Sequence, residues 1–377
     1  MTTTDRWEFW PGWFAGRSAL WITVLAVYGA LYARTASWGW LGFDDYSLIS
    51  TNPNLGHGWS SVAWALTDVR FLGRWMPLGW LPVALGGTAL QLHLLVLILG
   101  ALLCALVAEM YRQFSPGVFA LPFALLFVAS PLRLEAFGSI VGYLYTLTAI
   151  FGVLAVLDRR TRWRAVLWLL CALLTYPQAA GFLLVGAWCW RGSRASWVLL
   201  GSLAAMMMLQ YWLRVRMGWL PMQHHWALLP WTLGHEFVSL VMPIVTVPIF
   251  PPVYYPLEWL GFAVMAALLF WRPRILAVCL ILILPTLAAA VSEPFAFCAR
   301  YSTFMSIAAF GLLAAALNPS SRRWIALPVV ALAAMWAFGN ITDDGLAHGR
   351  YGAERRALAE AKLLGVTISS PVPQVDK

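Results

Sequence analysis

Residues 90–111 read LQLHLLVLILGALLCALVAEMY, and Gln91, His93 and Glu109 are the strongly polar side chains among them. At 1.5 Å per residue such a helix measures about 33 Å, enough for a hydrocarbon core about 30 Å thick. Reading outward, further apolar runs lie at 17–34, 116–130, 136–157, 163–176, 177–190, 196–213, 257–271, 275–291, 302–317 and 323–339. The 377 residues are 61% hydrophobic and 11% charged, with mean hydropathy +0.74. Soluble domains hold about 45–50% apolar and about 25% charged residues. The soluble, disordered and collagen-like classes are therefore excluded, and helix-length runs are too long for the strands of an outer-membrane barrel. The expectation is an all-α polytopic membrane protein with about 11 transmembrane helices.

The net charge of +9 would point to nucleic acid in a soluble protein. Here much of it sits in short loops, where it encodes topology. With a cytoplasmic N-terminus and eleven spans, Arg112, the cluster Arg159 to Arg164, Arg191/Arg194, Arg272/Arg274 and Arg322/Arg323 all fall inside. A twelfth span at 236–250 would move the last two groups outside. That stretch carries Pro243 and Pro248 and runs into Pro251, and proline kinks a helix and removes a donor. It is expected to be re-entrant or interfacial. Residues 1–339 then form one transmembrane unit, with a long outside loop at 35–89 and a short outside tail at 340–377. Within the loop, 59–67 (WSSVAWALT) places Trp59, Val62, Ala63 and Leu66 at helical spacing, which predicts an amphipathic interfacial helix.

Arginine supplies 23 of the 25 basic residues, which a GC-rich bacterial genome explains. The five cysteines lack metal-ligand spacing, and four lie in apolar runs, so they read as packing residues. No small-residue cleavage site follows the first apolar run, which is expected to be a retained helix.

Polar chemistry concentrates on the predicted outside face. Asp44 and Asp45 adjoin an apolar boundary, where repulsion and lost solvation raise at least one pKa. Such a pair suits a general base, a metal site or a plain turn. Arg133 and Glu135 occupy a short outside turn and would either pair at the surface or serve a site. Arg300 opens a later outside helix end, where it could grip a phosphate or snorkel to headgroups. His57, His93, His224 and His225 lie near the same face and read first as interface or packing residues. Trp75 would join an aromatic belt or stack on a sugar.

Four segments carry a resemblance. Phe43 to Leu55 (FDDYSLISTNPNL), Arg74 to Leu81 (RWMPLGWL), Ser130 to Glu135 (SPLRLE) and Ala299 to Ile307 (ARYSTFMSI) occur in this order. They resemble motifs of GT-C membrane glycosyltransferases, closest to the branch that carries tetratricopeptide repeats. Two histidines of that branch's motifs are replaced here by Met76 and Ser130, and a repeat domain is not expected. The resemblance implies a GT-C-like bundle in a bacterial inner membrane. It would move a sugar from a polyprenyl-phosphate-linked donor to a periplasmic acceptor (protein, glycan or lipid) by direct inverting attack. Asp44 would be the base and Asp45 would orient the acceptor, or the two would share a divalent metal ion if one is used. Arg300, Glu135, Arg133, Arg74, Trp75 and Tyr301, with His57, would bind donor phosphate or substrate. Membrane lipids are the expected surroundings, and nucleic acid is not an expected partner. The rival reading is a lipid or lipid-linked sugar transporter, which would place charges at mid-membrane in repeated broken helices. Here the acids gather at one face and no repeat is seen.

Overall fold

The computed structural model describes residues 17–40, 45–69, 74–115, 119–217, 226–242, 255–292, 302–317 and 323–341. Among these, every regular element is helical. The helices are α1 (Arg17–Tyr32), α2 (Trp59–Thr67), α3 (Pro77–Ala84), α4 (Ala89–Phe114), α5 (Ala120–Ala129), α6 (Arg133–Gly138), α7 (Tyr143–Leu157) and α8 (Arg162–Thr175). They continue as α9 (Ala180–Cys189), α10 (Arg194–Arg216), α11 (Leu229–Val238), α12 (Tyr255–Trp271), α13 (Pro273–Ser292), α14 (Ser302–Ala316) and α15 (Ala326–Ile341).

α4 begins at a reciprocal cap. The Thr88 side chain accepts from the Gln91 N–H, and the Gln91 side chain accepts from the Thr88 N–H. Its inner face buries Leu92, Val96, Leu103 and Val107, while Leu90, Leu94, Ile98 and Leu102 form an exposed outer stripe. A helix apolar on both faces belongs in lipid or deep in a core, and an exposed stripe of this kind suits lipid. Gly100 lets α1 approach: a Cβ there would collide with the Tyr28 ring, whose hydroxyl donates to the Leu97 carbonyl at 3.0 Å.

Three helical segments, 17–37, 89–114 and 194–216, are long and apolar enough to cross a membrane. The other expected spans are occupied by shorter helices. One of them differs from its expected form. The run 136–157 is two helices, α6 and α7, separated at Ser139–Gly142. Gly142 packs so tightly on the carbonyls of Glu135 and Ala136 that a side chain would not fit, which makes the turn possible. The 236–250 segment also starts differently: its first residues close α11, which begins upstream at Leu229 and buries Thr232 and Gly234 to Val238. Residues 243–250 lie outside the described residues.

α2 forms at the expected place, with its apolar positions Trp59, Ala63 and Leu66 turned outward. Ser61 and Ala65 are its buried residues, and Trp59 is 85% exposed with Leu66 also outward. The apolar face of an interfacial helix is satisfied by lipid, so small residues take the protein side. Trp75 Nε1 donates to the Leu66 carbonyl at 3.0 Å and pins the end of this helix.

Side-chain contacts sort the bundle into two ends. At one, Glu109 pairs with Arg17 at 3.3 Å and Arg112 at 2.7 Å. Arg159 covers the Phe114 ring, Ser115 donates to the Ala314 carbonyl, and Arg272 donates to the Ala316 carbonyl. At the other, Tyr32 donates to the Val128 carbonyl at 2.8 Å and accepts from Asn340 at 2.8 Å. Arg34 donates to the Asn340 carbonyl at 2.9 Å. α1, α5 and α15 therefore run parallel, and the described loop arginines Arg112, Arg159 and Arg272 share one end.

Candidate functional site

The six residues of α6 are all buried, at the end opposite the basic loops. Pro131 cannot continue a helix from α5, so the chain turns and restarts, with the Arg133 N–H donating to the Ser130 carbonyl at 2.9 Å. Two elements distant in sequence bond to this short helix and its following turn, and the charge of a third acts on it.

The first is the loop after α1. Asp45 is fully buried, and its Oδ1 accepts from the Ser139 hydroxyl and the Val141 N–H, both at 2.8 Å. Its Oδ2 accepts from the Ile140 N–H at 3.0 Å. A carboxylate on two successive backbone N–H groups and a hydroxyl is a strong, charge-assisted anchor. Both oxygens point into donors, so a metal ligand role for Asp45 would require giving these bonds up. Among the described residues no three His, Cys, Asp or Glu side chains are grouped to hold a metal ion.

The second is the start of α14. Arg133 is fully buried, and its Nη2 donates to the Ser302 hydroxyl at 3.0 Å while the guanidinium covers the Phe127 ring at 5.3 Å. Nε and Nη1 have no hydrogen-bond partner. Burial pushes this guanidinium down to about 10, against the opposing pull of neighbouring groups that include Glu236. Glu135 is also buried. Of the two readings of Arg133 and Glu135, a pair at the surface is excluded: helix α6 is covered by α1, α4 and α7, and both side chains are buried.

The third is α11, absent from the sequence reading. Its His235 Nδ1 bonds Glu258 Oε1 of α12 at 2.9 Å, and burial holds the imidazole below its ordinary pKa against the opposing pull of Glu258. Glu236, one residue on, is fully buried, and neither carboxyl oxygen has a partner. Burial pushes its carboxyl up to about 8, and the Arg133 charge opposes that rise. α11 and α12 cross at glycine, since a Cβ on Gly261 would overlap the Gly234 backbone. The available signal was an acid and a histidine inside an otherwise apolar stretch, LPWTLGHEFV.

The second motif joins less directly. Arg74 Nη1 donates to the Tyr176 hydroxyl at 3.3 Å, and that hydroxyl accepts from Tyr145 at 3.0 Å. The Tyr145 ring lies 6.4 Å from that of Phe304, two residues from Ser302 on α14. Trp75 serves the end of α2, as above. His57 stands apart on an exposed turn, where its Nε2 bonds the Pro53 carbonyl at 2.8 Å. His93 is buried and bonds the Gly39 carbonyl, a packing role. Cys104, Cys171, Cys189 and Cys279 are free thiols. Asp44, Arg300, Tyr301, His224 and His225 lie outside the described residues, the first adjoining Asp45 and Tyr301 adjoining Ser302.

Comparison with family models, with curated proteins and with solved structures finds no match for this chain.

Proposed function

We propose that the chain is a polytopic membrane glycosyltransferase that uses a polyprenyl-phosphate-linked sugar. It acts at the end of the bundle opposite the basic loops, which by the positive-inside rule faces the periplasm of a bacterial inner membrane. The eleven helices at the expected positions would form the membrane bundle, with the short ones extending into the interface. One observation carries the reading: Asp45 is bonded to the turn after α6, and Ser302 is bonded to Arg133 at its start. Three of the four motif segments thereby meet around one short helix and the turn after it, although 94 and 169 positions separate the bonded residues.

In this reading Asp44, next to the anchored Asp45, takes the proton from an acceptor hydroxyl as that oxygen attacks the anomeric carbon. The bond from that carbon to the lipid phosphate breaks, and the phosphate leaves with its electron pair. A leaving phosphate needs positive charge more than a proton, which Arg133 and Arg300 would supply. Glu135 would hold acceptor or donor hydroxyls. Asp45 acts as a positioning residue, because its own oxygens are occupied.

The test is transfer by purified protein supplied with a polyprenyl-phosphate sugar. Asp44→Asn is expected to lower turnover by about 10²–10⁴ with unchanged elution and thermal stability. Wild-type turnover in that variant would exclude Asp44 as the base. Transport of the same lipid by wild-type protein, with no sugar transferred, would favour the transporter instead.

A further inference from the structure

At the basic end of the bundle, the starts of α8 and α10 bring two groups of arginines to one place. Gly186 on α9 lies between these helices: a Cβ there would meet the Leu169 side chain of α8 at 2.7 Å and the Leu199 side chain of α10 at 3.1 Å. The Ser196 hydroxyl donates to the Ala187 carbonyl at 3.0 Å and holds the start of α10 beside the end of α9. Arg164 precedes Leu169, and Arg194 precedes Leu199, by five residues each, about 7.5 Å of helix. The two helix starts are therefore level. Arg160, Arg162, Arg164, Arg191 and Arg194 are all exposed there. Asp158 is the one acid between positions 158 and 197, and it is occupied: it pairs with Arg164 at 3.1 Å and accepts from Trp168 Nε1 at 2.8 Å. The other four arginines have no acidic partner among the described residues.

Tryptophans flank this charge. Trp163, Trp188 and Trp197 are 57%, 39% and 71% exposed. Trp197 follows Arg194 by three residues, so the two share one face of α10. α10 is long and apolar enough to cross a membrane, and protein buries only a minor part of it, so its start lies at a membrane boundary. Indole rings settle at the headgroup level, where an arginine meets lipid phosphate as well as water. The helix ends ask for an anion too. α8 starts with Arg162 and Arg164, α10 starts with Arg194, and neither first turn holds an acid. A cation at the positive end of a helix dipole is unfavourable by itself. Arginines that only set orientation would serve equally well in loops far apart, whereas these two loops are packed so that their charges add. An acidic protein segment would answer the arginines but not the outward indoles.

We propose that the starts of α8 and α10 form one binding surface for an anionic phospholipid. Arg162 on one side and Arg191 and Arg194 on the other hold the headgroup phosphate, and Trp163 and Trp197 lie against the glycerol and the upper acyl chains. The surface is at the end of the bundle opposite α6, so it is separate from the candidate site. It rests on the chain's membrane-spanning helices and not on the transferase reading.

Full-length protein in a neutral detergent would be titrated with phosphatidylglycerol and with phosphatidylcholine of the same acyl chains, and native mass spectrometry would count each bound lipid. Wild-type protein is expected to favour phosphatidylglycerol by about tenfold or more, since each basic residue near a lipid surface contributes about fivefold. Arg162→Gln and Arg191→Gln should each cost about fivefold, and the double variant about twenty-five-fold, because both loops serve one headgroup. Arg274→Gln, at an exposed arginine of another loop, should leave the first bound lipid unaffected. Thermal midpoints show whether the variants fold. A salt series on wild-type protein, from about 0.05 M to about 0.5 M ammonium acetate, tests the same charge without any substitution, and the preference should shrink as salt rises. Equal affinity for the two lipids, a preference that survives high salt, wild-type binding in the double variant, or an equal loss in Arg274→Gln would overturn the surface. Failure of sugar transfer would leave it standing, and failure of lipid selection would leave the transferase reading standing.

Discussion

The Ser139 hydroxyl donates to the Asp45 carboxylate at 2.8 Å across 94 positions of sequence, and the N–H groups of Ile140 and Val141 join it. This clasp ties the loop after α1 to the turn that separates α6 from α7. Asp45 is thereby committed to backbone donors and a hydroxyl.

Asp45→Ala would leave two buried N–H groups and a hydroxyl without a partner. Each unsatisfied group costs about 1–3 kcal/mol. The variant is expected to lower the thermal midpoint in detergent clearly, and to lose activity through the loop. Ser139→Ala, which removes one donor and keeps the backbone pair, should cost about 1 kcal/mol or somewhat more. A stable, fully folded Asp45→Ala with defective turnover alone would mean that Asp45 acts in the chemistry itself.

Arg300 adjoins Tyr301 and lies two residues before Ser302, which Arg133 holds. If it grips the leaving phosphate, Arg300→Lys should lower transfer tenfold or more, because one ammonium cannot reproduce the planar guanidinium grip. Arg300→Ala should lose more. A snorkelling arginine predicts that lysine preserves full turnover, so the ratio of the two variants decides between the roles.

Glu236 sets a pH dependence of stability. Its folded carboxyl is pushed up to about 8 by burial, from an ordinary value of 4.5. Between these values the folded state holds a proton that the unfolded chain has released, so stability falls as pH rises. The slope contributed is at most about 1.4 kcal/mol per pH unit. Glu236→Gln should flatten the decline in thermal midpoint between about pH 5 and about pH 8 in buffered detergent. An identical curve for variant and wild type would mean that the carboxyl is ionised in the folded state.

The sidedness of the bundle can be read by labelling single cysteines in intact cells, in a background where the native cysteines are replaced. Ser60→Cys, beside exposed Trp59 on α2, should react with an impermeant reagent. Arg162→Cys, at the start of α8 and at the basic end, should react only after lysis. Reaction of Arg162→Cys in intact cells would invert the orientation.

Hydropathy is a local property, so the amino-acid order by itself determined the helical membrane class, the helix positions and the arginine-rich end. Each run of apolar side chains carries its own reason to be a helix in lipid, and each loop arginine carries its own preference for one side. The spacing of Trp59, Ala63 and Leu66 likewise marked α2 as interfacial from local order. Local order could not divide 136–157, where Gly142 and the carbonyls of α6 had to meet before the break had a cause. The site belongs to tertiary structure for the same reason. Asp45 reads as half of an acidic pair until the 139–141 turn supplies its donors, and Arg133 reads as a surface arginine until α6 is buried against α1, α4 and α7. Glu236 has no meaning along the chain, since its field on Arg133 exists only once α11 has packed at that end of the bundle. Burial, which turns these charges from solvated groups into interacting ones, is a property of packed helices and not of any one of them.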